Sequence, residues 1–90
     1  MKSITIKIPM KIASDMDDRG RLNPDYLTSF IVTHLDMVKT IVKRPINELT
    51  YTYTCKINKD LHKSIKLLSI ENDMPMNELI GRLLNYYYKR

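Results

Sequence analysis

The chain has 90 residues, enough for one hydrophobic core and short for two independent ones. Its 43% hydrophobic and 28% charged residues are typical of a folded domain and exclude a disordered tail. Fifteen basic residues against ten acidic ones give a net charge of +5, which favours a polyanionic partner. One cysteine excludes an internal disulfide, and two histidines beside it are too few for a structural zinc site.

No apolar run approaches the roughly 18 residues that a membrane span needs. The N-terminus leads into alternating residues instead of the apolar stretch of a signal peptide. We therefore expect a cytoplasmic protein without a membrane partner.

Two segments alternate strictly between polar and apolar residues, which predicts two amphipathic strands. The first covers residues 3–9 and is stopped by Pro9; the second covers residues 52–58. The two segments align at a separation of 49 residues, so that Lys7 matches Lys56. The predicted inward residues are Ile4, Ile6, Ile8, Tyr53, Cys55 and Ile57.

Two helices are predicted after the second strand. Asn58 is a good N-cap for a helix over residues 59–72, and the pair Asn72–Asp73 tolerates the left-handed backbone that ends it. Pro75 then opens a helix that runs to about Lys89. The first helix buries Leu61, Ile65 and Leu68 with Leu67 and Ile70 beside them, and the second buries Leu79, Ile80, Leu83, Leu84 and Tyr87.

The first half repeats this order in a shorter form. A helix over residues 10–18 is interrupted at residues 19–21, and another starts at Pro24 and continues through Val38 and Val42 to Arg44. Its predicted buried stripe matches that of the last helix at a separation of 52 residues: Leu27, Thr28, Ile31, Val32 and Leu35. We predict a first copy at 1–44, a connector at 45–50 and a second copy at 51–90, with one shared core.

Each lone strand has unpaired backbone edges and needs the other strand. Antiparallel pairing turns one face to the helices and leaves a face of hydroxyls and two lysines outside: Ser3, Thr5, Lys7, Thr52, Thr54 and Lys56. The predicted fold is mainly α with a two-stranded antiparallel β-ribbon, as a pseudo-dimer in one chain. A ribbon of this width enters the major groove of double-stranded DNA, where Lys and Thr can contact base edges.

The motifs Ser3-x-Thr5-x-Lys7 and Thr52-x-Thr54-x-Lys56, each followed by helix, turn and helix, resemble the ribbon-helix-helix DNA-binding proteins. Residues 76–80 with Leu83 and Leu84 also look like the opening of that family's second helix. The family usually carries one copy per chain and dimerises, so the resemblance implies a tandem ribbon-helix-helix protein.

The resemblance implies that the six outward strand residues read bases. It also implies that the N-termini of the second helices, near Asp25 and near Met76 and Asn77, contact phosphates, with Lys2 and Lys59 nearby. We expect a transcriptional repressor of a phage or plasmid, with two molecules bound side by side and no cofactor. The aspartates at positions 15, 17, 18 and 25 suggest that the first copy contacts DNA weakly.

Two alternatives stay open. The first is an accessory DNA-binding factor for plasmid transfer or partition, which shares the fold. The second is a protein-binding module, an antitoxin or an inhibitor of a host enzyme, in which the basic face is incidental.

Several residues also have simpler interpretations. The strand faces could be ordinary solvated surfaces, and Lys59, Lys63 and Lys66 could form a solvated helix face. Residues 86–88 are three tyrosines, of which we expect Tyr87 in the core and its neighbours at the rim. Cys55 is predicted to be a buried, inert thiol, and His34 and His62 to be surface or rim histidines. The sequence contains no catalytic or metal-binding motif, so no enzyme is expected.

Overall fold

A computed structural model describes residues 1–41 and 49–88 of the chain. Within these ranges the protein is mainly helical with one two-stranded antiparallel sheet, as the sequence predicts. The elements in chain order are β1 (Lys2–Ile8), α1 (Met10–Asp18), α2 (Pro24–His34), a 3₁₀ turn (Leu35–Met37), α3 (Val38–Ile41), β2 (Tyr51–Ile57), α4 (Lys59–Glu71) and α5 (Met76–Tyr87). Most of the predicted connector 45–50 lies outside the described residues, and Leu49 and Thr50 are irregular.

The strands pair along their whole length, each one residue earlier than predicted. β1 ends at Ile8 because Pro9, which has no N–H to donate to a ladder, becomes the N-cap of α1. The inner face is buried at Ile4, Ile6, Ile8, Cys55 and Ile57, while Tyr53 is only half-buried.

α1 and α4 end in the same way. Gly20 and Asp73 both adopt the left-handed backbone, with φ of 67° and 51°. In each case the N–H of the next residue donates to the carbonyl five residues back: Arg21 to Met16, and Met74 to Ser69. This is the Schellman arrangement, which satisfies the last carbonyls of a helix. Both turns lead directly into the next helix.

The prediction of one helix from Pro24 to Arg44 is wrong, because α2 ends at His34 and a 3₁₀ turn separates it from α3. Thr33 Oγ1 donates to the Ser29 carbonyl over 2.8 Å, and His34 Nδ1 lies 2.9 Å from the Phe30 carbonyl. Side chains that bond to carbonyls four residues back compete with the helix and bend it. Residues 42–44 of the predicted helix lie outside the described ranges.

The predicted buried face of α2 is also partly wrong. Val32 is 59% exposed, whereas Phe30, which the pattern left out, is buried. The ring of Phe30 lies between Tyr26, at a centroid distance of 6.3 Å, and His34, at 4.3 Å. On the same side of α2, Tyr26 contacts Tyr88 and His34 stacks on Tyr87, so this side of the helix, with Phe30, is covered by the C-terminal residues while Val32 faces solvent.

On α4 the side of Leu61 and Ile65 is fully buried, and Leu67 and Ile70, predicted beside that face, are exposed. One further burial prediction fails at the end of the chain. Tyr88, not Tyr87, is the buried residue of the C-terminal tyrosines. α5 ends at Tyr87 and Tyr88 has extended backbone, which directs its hydroxyl to Asp15 Oδ2 over 2.7 Å.

α5 lies directly against β1 and forms the centre of the core, with Leu79, Ile80, Leu83 and Leu84 buried. At Gly81 the helix comes so close to the strand that an added Cβ would lie 1.9 Å from the Lys7 carbonyl oxygen. The close packing of α5 on β1 therefore requires glycine at position 81. The ribbon rests on the helices with its inner face and turns its outer face to solvent.

Candidate functional site

The outer face of the ribbon carries all six residues that the sequence predicts to face outward. Every one of them is exposed, in alternation with the buried residues of the inner face. They form three cross-strand pairs, which are Ser3 with Lys56, Thr5 with Thr54, and Lys7 with Thr52. Residues from positions 3 and 56 of the chain thus share one continuous surface, which we call the ribbon face.

The centre of the ribbon face is a pair of threonines. Thr5 Oγ1 and Thr54 Oγ1 lie 3.2 Å apart and share a hydrogen bond. Each hydroxyl has one hydrogen and two lone pairs, so the pair retains unused donor or acceptor capacity toward solvent. Both hydroxyls can therefore bond to a ligand above the ribbon without breaking their mutual contact.

The two lysines of the ribbon face stand at opposite ends of it. Lys56 belongs to the pair at Ser3 and Lys7 to the pair at Thr52, four residues further along β1. At about 3.3 Å per residue this separates their backbones by roughly 13 Å along the ribbon. Both are exposed, and neither forms an ion pair with any residue in 1–41 or 49–88.

Further basic residues cluster at one end of the ribbon. Lys2 pairs with Ile57 at the end of the sheet, and Lys59 opens α4 two residues later; both are exposed. Together with Lys56 they make this end of the ribbon strongly positive. The opposite end leads into α1, with three aspartates. The electrostatic potential therefore differs between the two ends of the ribbon.

The predicted phosphate contacts at the second helices are not part of the ribbon face. Asp25 is exposed in the first turn of α2, and Met76 and Asn77 are half-buried at the start of α5. The two helix starts differ in their caps. Asn23 accepts a 2.8 Å bond from the Tyr26 N–H at α2, whereas Pro75 provides no side-chain cap at α5. The N-terminus of α5 therefore has more free N–H capacity for an anion.

Cys55 lies on the inner face opposite Ile4, and burial raises the pKa of its thiol. A raised pKa keeps the thiol protonated at neutral pH, which suits the predicted inert residue. Burial likewise raises the pKa of the Tyr53 hydroxyl on the same strand. His34 is half-buried and stacks on Tyr87 at a centroid distance of 4.9 Å.

Sequence reasoning missed two contacts that hold the ribbon in place. One is the close approach of Gly81 to β1, for which the only signal is a glycine inside a helical pattern. The other joins α5 to α1 through Tyr88 and Asp15, with Arg19 Nε 3.2 Å from the same carboxylate. Burial and this hydrogen bond raise the pKa of Tyr88, and Arg21 opposes that rise. No local pattern indicates a contact between residues so far apart.

Across residues 1–41 and 49–88, no three His, Cys, Asp or Glu side chains come together as ligands for a metal ion. The helices in the described part of the chain are all too short or too polar to cross a membrane. Comparison with known protein families, curated proteins and solved structures gives no match for this chain.

Proposed function

We propose that this protein is a tandem ribbon-helix-helix protein that binds double-stranded DNA sequence-specifically and acts as a transcriptional repressor. The single observation that supports this best is the strand register. Thr5 pairs with Thr54, and their separation of 49 residues is the offset at which the two halves of the sequence align. A two-fold axis between two copies needs a central pair whose members are equivalent, and this pair satisfies the requirement.

Helix geometry supports the same two-copy interpretation. Pro9 and Asn58, the N-caps of α1 and α4, are also 49 residues apart, and both helices end in a Schellman turn. α4 has 13 residues against nine in α1, and the turn after it is one residue shorter, which together account for the three-residue larger offset of the following helices. α5 packs on β1 and α2 on β2, so each strand contacts the second helix of the other copy. Such an exchange is expected of a dimer fused into one chain.

In the proposed complex the ribbon face lies in the major groove. Lysine donates to guanine O6 and N7, and threonine contacts base edges or a thymine methyl group. The roughly 13 Å between Lys7 and Lys56 corresponds to about four base-pair steps at 3.4 Å. The ribbon therefore reads a short site in which the two lysines contact bases on either side of the threonine pair.

Lys7→Ala and Lys56→Ala are each expected to weaken DNA binding by roughly tenfold or more, because a base or phosphate contact is lost. The slope of log affinity against log salt should become shallower by about 1 if the lost contact is to phosphate. Fluorescence anisotropy with a selected duplex at several salt concentrations measures both quantities. Lys39→Ala is the matched control, because it removes an exposed lysine in α3, outside the ribbon face. Equal losses in all three variants would contradict the assignment.

Thr54→Ala is expected to relax base preference at the centre of the binding site, because its hydroxyl lies in the central pair. Stability should change by about 0.5 kcal/mol or less beyond the lost bond to Thr5, since the residue is exposed. Selection of bound duplexes from a random pool, for wild type and variant in parallel, reads out the preference. Thr40→Ala, at an exposed position in α3, should leave the selected sequence unchanged. If the duplexes selected by Thr54→Ala had the same central base pairs as those selected by wild type, the ribbon would not be the element that reads bases.

A further inference from the structure

The two helices that leave the ribbon carry opposite charges. α1 holds three aspartates and one lysine, whereas α4 holds three lysines, one aspartate and one glutamate. These helices occupy equivalent places after β1 and β2. In a dimer of identical chains the two would have the same charge, so the difference is specific to this single-chain arrangement.

The charged helices start at opposite ends of the ribbon. Ile8, which precedes α1, pairs with Tyr51, and Ile57, which precedes α4, pairs with Lys2 at the other end of the sheet. An acidic helix therefore begins at one end of the ribbon and a basic helix at the other. With this placement, copies of the molecule can form a row in which all point the same way and unlike helices meet.

On α1 the acidic surface borders a shallow groove with an apolar floor. The groove is lined by Met10, Ala13, Ser14 and Asp17 of α1, together with Leu22 and Tyr51. Met10 of this lining is 55% exposed, and Asp17 and the residue that follows it, Asp18, are exposed too. We call this surface the acidic groove.

On α4 two large apolar side chains project into solvent beside two lysines. Leu67 is 53% exposed and Ile70 is 67% exposed, three residues apart on one side of the helix. Lys63 and Lys66, each four residues before one of them, are also exposed. We call these four residues the basic ridge. Adjacent exposed apolar residues rimmed by charge are typical of a protein contact surface.

We propose that the basic ridge of one molecule docks into the acidic groove of the next copy of this chain. Leu67 and Ile70 would cover the apolar floor, while the lysines face Asp17 and Asp18. Both surfaces belong to the same chain. A second copy therefore offers basic residues and apolar side chains to the acidic groove, and an acidic, apolar groove to the basic ridge. The contact joins different surfaces, and such head-to-tail contacts build open rows instead of closed pairs.

The contact itself does not depend on DNA, whereas its use for cooperative occupation of adjacent sites rests on the proposed function. Exposed ion pairs are weak and screened by salt, so the association of free protein is expected to be weak and to decrease as salt rises. Neighbouring sites on one duplex would raise the effective concentration of the two surfaces and strengthen the contact.

Two charge-reversed variants test the proposal in free solution. The first is Asp17→Lys with Asp18→Lys, and the second is Lys63→Glu with Lys66→Glu. Each makes the groove and the ridge of one chain alike in charge, so self-association should fall by at least roughly tenfold for either variant alone. An equimolar mixture pairs a basic groove with an acidic ridge and a native groove with a native ridge, and association should return. Sedimentation velocity at low salt and high protein concentration measures the self-association of each variant and of the mixture.

The mixture distinguishes the proposed contact from symmetric ones. If the groove variant associated as well as wild type, the contact would be between two α4 surfaces; if the ridge variant did so, between two α1 surfaces. Either result, or a wild type that stays monomeric under these conditions, would overturn the proposal. Circular dichroism confirms that each variant is folded. Binding to a duplex with one site tests DNA recognition separately, so failure of one proposal is distinguishable from failure of the other.

Discussion

Gly81→Ala is expected to destabilise the protein, although alanine is favoured over glycine inside a helix. Without a tertiary contact the substitution would stabilise α5 by about 1 kcal/mol. Here the new methyl group would lie 1.9 Å from the Lys7 carbonyl oxygen, a backbone atom that cannot rotate away. Forced overpacking of a core costs about 1–3 kcal/mol, and a clash with a backbone atom belongs at the upper end of that range, above the gain in helix propensity. The melting temperature should therefore fall by several degrees, measurable by circular dichroism.

The sign of the change in melting temperature makes this test decisive. A stabilised Gly81→Ala variant would mean that α5 does not approach β1 as described. Gly20→Ala provides the comparison, because that glycine has φ of 67° but nothing within 4 Å of an added Cβ. The Gly20→Ala variant should lose about 1–2 kcal/mol of folding stability through backbone strain alone. Amide NMR shifts should then change around Lys7 in the Gly81 variant and only near the α1–α2 turn in the Gly20 variant.

Ile6→Asp is expected to unfold the protein. Ile6 is fully buried on the inner face of the ribbon, where it pairs with Tyr53. The substitution removes about 1.5–3 kcal/mol of apolar burial and places a carboxyl group in the core, at a further cost of several kcal/mol. A domain of this size has roughly 5–13 kcal/mol of stability in total. Loss of the cooperative thermal transition is the expected result.

Thr5→Asp is the matched control for that experiment. It introduces the same carboxyl group at the neighbouring residue, on the exposed outer face. The variant should fold, with a loss of about 1 kcal/mol for the hydrogen bond to Thr54. Its affinity for DNA should nevertheless drop, because a carboxylate would meet the negative field of the groove. If Ile6→Asp folded as well as Thr5→Asp, the assignment of Ile6 to a buried inner face would be wrong.

The strands and their faces could be predicted from the sequence because strict alternation has one physical meaning. With residues 4, 6 and 8 all isoleucine, only one face of β1 can be buried, and the pairing partner follows from the need to close an open edge. The alternation alone is therefore enough to identify the six residues of the ribbon face. Their role in binding DNA remains a prediction.

Helix burial was less predictable, since several residues of a helix compete for one buried side. Val32 and Ile70 are as apolar as the residues that are buried, and only the neighbouring elements decide which side of a helix is covered. Phe30 is buried on the side of α2 where Tyr26 and His34 contact Tyr88 and Tyr87. Tyr88 becomes buried because the helix ends one residue earlier. Long-range packing of this kind leaves no periodic signal in the sequence.

Both strands of the ribbon come from one polypeptide, and this has a consequence for how the protein behaves when it is scarce. A binding surface assembled from two chains disappears on dilution, since its formation depends on the concentration of free subunits. Here the second strand is tethered to the first, so the surface is complete in every folded molecule. A few copies per cell would suffice to present it.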